Sequence, residues 1–299
     1  MKLLYPTHMK EYELIDTGGF EKLERFGAYV IMRPESQAVW DKSLPSAEWK
    51  RRAHAVYTLG DNGESITGDN RDRGTWERKN NMPEQWMFSY SYADMRLALK
   101  LALTSFGHIG IFPEQSENWN YIHDTLHSFH MNTPRVLNLF AYTGAASLAA
   151  KSAGADVVHV DSVKHTVSWA RENMEASGLS NIRWIVEDAL KYAKREVNRG
   201  NSYNGIILDP PKYGRGPKGE RWLLDMYINE IMGLCSQLLA KKNAFLLLNL
   251  YSMGYSAVIA DNLIRSHFGR NIENEFGELY IADTFKKPLP LGVYSRFRR

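Results

Sequence analysis

The chain has 299 residues, 44% apolar and 24% charged, with 37 Lys and Arg against 34 Asp and Glu for a formal charge of +3. This is the make-up of a globular protein of one large or two medium domains, and the charge is compatible with an acidic partner such as RNA without requiring one. The single cysteine excludes an intrachain disulfide framework and a cysteine-rich zinc site, no run reaches membrane-spanning length, and residues 1–6 are too short for a signal peptide, so a cytoplasmic protein without membrane contact is expected.

Residues 12–15 and 28–33 read as short strands, separated by Thr17-Gly18-Gly19 and the charged stretch 21–25, and suggest a small β-rich unit extending a sheet. Residues 46–52 form a charged patch. Segments 61–63 and 68–74 are turn-rich, and 71–81 mixes cations with Trp76, a loop that either stacks on a base or is plain solvated surface. Leu97, Leu99, Leu101 and Leu103 alternate with Ala98, Lys100, Ala102 and Thr104, which predicts a strand with one buried face, and 106–112 predicts a turn and a return strand. Residues 113–119 open a helix whose Trp119, Ile122, Leu126 and Phe129 have the spacing of a core-facing stripe. His123, His127 and His130 lie on or beside that helix; with no clustered carboxylate or thiolate partner in the sequence, no metal site is expected.

From 135 onward the pattern alternates. Strands are predicted at 136–140, 157–160, 182–186, 205–208 and 244–250, helices at 145–152, 163–177, 189–198, 221–239 and 256–268, and two terminal strands near 271–281 and 293–297. Such alternation predicts an α/β fold with a seven-stranded, mostly parallel sheet covered on both faces. The last two strands have no helix between them, so one is expected to pair antiparallel at the sheet edge.

In an open α/β sheet, ligands bind beyond the carboxyl ends of the strands. Those ends are Phe140-Ala141-Tyr142-Thr143-Gly144, Asp161-Ser162, Asp188-Ala189 and Asp209-Pro210-Pro211-Lys212-Tyr213. Gly144 lets backbone approach a ligand at a helix amino terminus, Asp161 can accept from both hydroxyls of a ribose, and Asp188 can accept from an adenine amino group or simply cap a helix. Pro210-Pro211 would hold Asp209 and a neighbouring carbonyl in a rigid turn, where a base amino group could donate while Tyr213 stacks on its face.

Taken in that order, Leu139-Phe140-Ala141-Tyr142-Thr143-Gly144, Val160-Asp161-Ser162, Glu187-Asp188-Ala189 and Leu208-Asp209-Pro210-Pro211-Lys212-Tyr213 resemble the successive motifs of the class I S-adenosylmethionine-dependent methyltransferases. They most resemble the bacterial branch that modifies bases of large-subunit ribosomal RNA. The resemblance spans residues 110–299. It implies a Rossmann-like methyltransferase domain over 131–299, preceded by an amino-terminal β-rich region over 1–130 that carries a cofactor-capping loop. By this resemblance Phe140 to Gly144 face the methionine part of the cofactor, Asp161 and Ser162 the ribose, and Asp188 and Ala189 the adenine. Glu114 and Gln115 resemble the loop that closes over the cofactor, with Asn118 joining it, and Asp209 to Tyr213 form the catalytic motif.

Two departures bear on the reaction. Cytosine carbon-5 enzymes of this branch place a nucleophilic cysteine after the fifth strand, because that carbon must be activated by covalent addition. Here the stretch reads Leu248-Asn249-Leu250-Tyr251-Ser252, and the one cysteine, Cys235, sits on a helix among leucines. The amino-terminal region is also shorter than the RNA-binding module that usually precedes this branch. A nitrogen or oxygen acceptor needs no covalent adduct, only alignment with the sulfonium methyl. Lys212 serves either as a phosphate contact or as a surface ion-pair member, and residues 295–299 as a phosphate contact or a frayed basic tail. The expected function is S-adenosylmethionine-dependent methylation of a ribosomal RNA base. A protein or small-molecule acceptor, or a non-catalytic RNA-binding protein of the same fold, are the alternatives; a nicotinamide dehydrogenase is disfavoured because 140–144 lacks the triple-glycine fingerprint.

Overall fold

The computed structural model describes residues 1–60, 73–79, 81–251 and 254–299. Strand β1 (Lys2–Leu4) is followed by β2 (Tyr12–Gly18), β3 (Glu21–Phe26), β4 (Tyr29–Pro34), helix α1 (Ser46–Arg52), β5 (Ala55–Leu59) and β6 (Gly74–Arg78), and β2 to β6 form a five-stranded sheet in sequence order. The charged stretch expected as a separator is strand β3. Its Lys22 and Glu24 are buried, and Glu24 takes Arg33 Nε at 2.7 Å and Tyr12 OH at 2.8 Å while Lys22 reaches Glu35 at 3.0 Å. Pairing offsets the desolvation that made the run look like surface.

β7 (Gln85–Tyr92) and β8 (Met95–Ala102) form an antiparallel hairpin, and Leu97, Leu99 and Leu101 are buried as their alternation predicts. The expected return strand over 106–112 does not form. β8 is already paired with the strand before it, and Gly107 and Gly110 take φ of 75° and 110°, which bends the chain out of a ladder after two backbone bonds, Thr104 N to His108 O and Ala102 N to Ile109 O.

A single 3₁₀ turn (Pro113–Gln115) leads into α2 (Ser116–Ser128), then β9 (Arg135–Leu139), α3 (Ala145–Ser152), β10 (Asp156–Asp161), α4 (Lys164–Ala176), β11 (Ile182–Val186) and α5 (Ala189–Asn198). The chain continues through β12 (Gly205–Leu208), a ribbon of β13 (Tyr213–Arg215) and β14 (Arg221–Leu223), α6 (Leu224–Leu238), β15 (Phe245–Leu250), α7 (Ala257–Phe268), β16 (Asn274–Ala282) and β17 (Pro288–Arg298). The main sheet runs β1-β16-β17-β15-β12-β9-β10-β11. The α/β class holds, with two corrections of detail.

The sheet has eight strands, because β1 pairs in parallel with β16. Gly277 permits that approach: a Cβ there would lie 1.6 Å from the Lys2 carbonyl oxygen. And the antiparallel strand is not at the edge, since β17 pairs antiparallel with β15 on one side and β16 on the other. The long β16–β17 hairpin inserts its second arm against β15, leaving its first arm for β1.

Both faces of the sheet are covered. Ile122, Leu126, Leu148 and Met174, from α2, α3 and α4, pack with the β7–β8 hairpin into one apolar cluster, while Tyr192, Ile228, Met232 and Ile264, from α5, α6 and α7, pack into another on residues such as Leu137 and Leu139. Trp119, Ile122, Leu126 and Phe129 are all buried, as their spacing predicts.

Candidate active site

The chain runs outward from β9 through β10 to β11 and then returns to β12 on the other side of β9, so the order of connection reverses between β9 and β12. A crevice opens at the carboxyl ends of strands flanking such a point. The turn after β9 has an unusual backbone: Phe140, Tyr142 and Gly144 take φ of 58°, 49° and 91°, two of them in a region that side chains disfavour by about 1–3 kcal/mol each. Surrounding bonds hold that turn. Asp161 Oδ2 accepts from Tyr142 N at 2.9 Å and its Oδ1 from Val163 N at 2.9 Å, Asn173 Nδ2 donates to Thr143 O at 2.9 Å, and the Thr143 hydroxyl donates to Gly110 O. Burial lifts the Asp161 carboxyl above its ordinary range, against the pull of these N–H donors.

Facing the turn across a cleft are Gln115, Asn118 and Asp209. Asn118 Nδ2 donates to Gln115 Oε1 at 2.7 Å and Gln115 Nε2 to the Tyr251 hydroxyl at 2.5 Å. Arg296 Nη1 donates to Asn118 Oδ1 at 3.0 Å, and the same guanidinium pairs with Glu275 at 2.5 Å. At the end of β12, Asp209 Oδ1 accepts from Asn249 Nδ2 at 2.9 Å, and burial pushes its carboxyl up to about 7 despite that bond. Glu114 is not part of the cleft lining; it is 3% exposed, and burial pushes it to about 7 as well.

The structure therefore gathers Gln115, Asn118, Phe140, Ala141, Tyr142, Thr143, Gly144 and Asp209 around one cleft. Asp161, Ser162, Asp188 and Ala189 stand on the adjoining strand ends outside that lining, with Asp188 capping α5 by accepting from Lys191 N at 2.8 Å. Pro210 is buried while Pro211, Lys212 and Tyr213 are exposed, and Trp222 Nε1 fixes the proline turn by donating to Pro211 O at 2.7 Å.

Asn249 and Tyr251 were not among the residues singled out from sequence. Asn249 carries a usable signal, the one polar side chain in the apolar strand 245–250. It is fully buried, and its Oδ1 has no hydrogen-bond partner among the described residues.

Other expectations resolve away from the cleft. Trp76 belongs to β6, its Nε1 donating to Thr104 O at 2.8 Å and its ring set 5.0 Å from that of Tyr57, so it is not a free stacking platform; residues 61–72 and 80 lie outside the described residues. The carboxy terminus is no frayed tail: Ser295 and Arg296 are buried in β17 and Arg299 Nη2 donates to Ala240 O at 2.9 Å. His123 and His127 do have a carboxylate beside them, Asp94 from the β7–β8 turn, which sequence distance hid. Cys235 is fully buried in α6 with its thiol pushed strongly up by burial. Cys235→Ser should leave methyl transfer within about twofold and cost about 1–3 kcal/mol of stability, the price of an unmatched buried hydroxyl; lost turnover in a folded variant would restore the thiol to the chemistry.

A doubly covered, mostly parallel sheet with its crevice at the reversal point, a strained glycine turn and successive acids has the layout of a nucleotide-cofactor-binding fold. In comparison with known proteins, a crystal structure of the S-adenosylmethionine-dependent methyltransferase from Agrobacterium tumefaciens superposes with a TM-score of 0.89 and 35% identity over 100% of this chain and 93% of that one. The chain belongs to the S-adenosylmethionine-dependent methyltransferase family. Residues 115–248 match the family model described as conserved hypothetical protein 95. Two curated relatives are the ribosomal RNA large subunit methyltransferase K/L of Shewanella frigidimarina, 26% identical over 82% of this chain and 33% of that protein, and the ribosomal RNA large subunit methyltransferase I of Aeromonas salmonicida, 35% identical over 36% of this chain and 27% of that protein. The chain thus spans a third or less of the length of these relatives.

Proposed function

We propose that this chain methylates a base of ribosomal RNA at a nitrogen or oxygen atom, working in the cytoplasm. The relatives named as ribosomal RNA methyltransferases support the substrate class. The observation that carries the acceptor chemistry is that residues 248–252, where a carbon-5 enzyme would present a thiol, hold no cysteine, while the one cysteine, Cys235, is buried in α6.

S-adenosylmethionine supplies an electrophilic methyl group on a sulfonium. The strained turn from Phe140 to Gly144 presents backbone to its methionine part, with Gln115 and Asn118 closing over it from the 3₁₀ turn and α2, and Glu114 buried beside Gln115. Asp161, beside Ser162, takes the ribose hydroxyls with the lone pairs left after binding Tyr142 N and Val163 N. Asp188, beside Ala189, takes the adenine. Asp209, the Pro210 carbonyl and Tyr213 orient the acceptor base, with Pro211 stiffening the turn and Lys212 near the backbone phosphate. Asp209 holds a position to accept the proton that the acceptor loses as it is methylated. In this reading 131–299 is the catalytic domain, and 1–130 caps the cofactor and shapes the RNA entrance.

Calorimetric titration with S-adenosylmethionine, with NAD as control, tests the cofactor side. Micromolar binding of the sulfonium compound is expected, and Asp161→Ala should weaken it about 10–100-fold, since it removes both the ribose acceptor and the bond that shapes the turn. Undiminished affinity in a folded Asp161→Ala protein would remove Asp161 from the site.

A further inference from the structure

Away from the crevice, α2 presents two imidazoles one turn apart, His123 and His127, to the turn between β7 and β8, which carries Asp94. His123 Nε2 stands 2.8 Å from Asp94 Oδ1 and 3.1 Å from His127 Nε2, and His127 Nε2 stands 3.9 Å from Asp94 Oδ1. These separations straddle the edge of about 3.3 Å expected for a tetrahedron with metal–ligand bonds of about 2.0–2.1 Å.

The surroundings of His123 set its electronic state. Its ring is buried, and its other nitrogen, Nδ1, faces Asp124 Oδ1 at 3.3 Å, while Asp124 Oδ2 accepts from the Tyr92 hydroxyl at 2.7 Å. A carboxylate on the far nitrogen, itself held by a hydroxyl, is the arrangement that orients a metal-binding imidazole. Asp94 Oδ1 and the Nε2 atoms of His123 and His127 converge on one point, and a divalent cation placed there can take a lone pair from all three donors together.

We propose that His123 Nε2, His127 Nε2 and Asp94 Oδ1 form a binding site for a transition-metal ion of the Zn²⁺ class, with the remaining position open to solvent. Imidazole with a single carboxylate suits zinc rather than magnesium or calcium, which prefer oxygen alone. None of the three residues lines the cleft, so the site stands apart from the methyl-transfer reading. Its effect is mechanical. The ion pins the hairpin turn to α2, the helix whose first turn carries Asn118.

The test is calorimetric titration of the chelator-stripped full chain with ZnCl₂, alongside thermal unfolding with and without the metal and the visible absorption of the Co²⁺ form. Binding of one Zn²⁺ per chain, a rise in melting temperature on adding it, and a tetrahedral Co²⁺ spectrum are expected. His127→Ala and Asp94→Asn, both at exposed positions, should each abolish the spectrum and the melting shift, and Asp124→Asn should weaken binding about 10–100-fold as a positioning residue. His165→Ala, at an exposed histidine elsewhere, should change nothing. Absence of stoichiometric uptake, or uptake that His127→Ala and Asp94→Asn leave intact, would overturn the site.

Discussion

Asp209→Asn should lower methyl-transfer turnover by about 10²–10⁴-fold while leaving S-adenosylmethionine affinity within a few fold, the range expected when a positioned proton acceptor is lost. The substitution keeps the shape of the side chain and the acceptor oxygen that meets Asn249 Nδ2, so the fold around β12 should persist. What it removes is a carboxyl that burial holds near about 7. The wild-type rate should therefore rise with pH up to about that value as the carboxylate forms, and the variant should lose this limb.

The same group makes a stability prediction whose sign follows from linkage. A carboxyl harder to ionise in the folded chain than in the unfolded one adds stability at low pH, in full below the unfolded value of about 4. That contribution is lost as pH rises to about 7, the folded value of Asp209 and of Glu114 alike. Thermal unfolding of the unliganded protein between pH 5 and 8 should thus fall more steeply for wild type than for Asp209→Asn. Coincident curves for the two proteins would show that Asp209 does not titrate in this range.

Gly110→Ala should destabilise the fold by about 3–5 kcal/mol, combining a disfavoured backbone conformation with overpacking. Gly110 has φ of 110°, and a Cβ there would lie 2.5 Å from Trp169 Cζ2 and 3.2 Å from the Lys100 carbonyl oxygen. Trp169 cannot easily retreat, because its Nε1 donates to that same carbonyl at 2.9 Å. The change also reaches the cleft, since Gly110 O accepts the hydroxyl of Thr143 and helps hold the strained turn. Melting temperature should drop by roughly 10 °C, with cofactor affinity falling even below the transition. Gly154→Ala is the control: φ there is also positive, at 85°, but nothing lies within 4 Å of the added carbon, so the backbone cost acts alone. Equal losses at the two glycines would discount the Trp169 contact.

Much of this fold is legible from residue pattern alone. The leucine alternation before 103 and the β/α succession after 135 both come from short-range periodicity, and the acids at strand ends follow once the strands are placed. The failures share a cause. β3 looks like a solvated charge run because Arg33 and Glu35, which pair with it, lie on the next strand and the turn after it. β1 depends on pairing with β16, far away in sequence, and the position of β17 on pairing with β15 across the intervening α7. At the site, Asp209 could be found from its proline turn, but the bond from Asn249 depends on β12 and β15 lying side by side. Local pattern fixes elements; partners that meet only in three dimensions leave little local trace.

The union of β1 with β16 also orders the events of biosynthesis. Lys2 pairs across from Gly277, and Asp16 and Thr17 of β2 bind Lys287 and Asp283 beyond the same strand, so these segments meet partners that are synthesised about 270 residues after them. Until then the nascent chain carries edges that nothing covers, and contacts this distant in sequence form slowly. The contacts that join the amino-terminal sheet to the main sheet can therefore close only after β16 and the turn that follows it have been made.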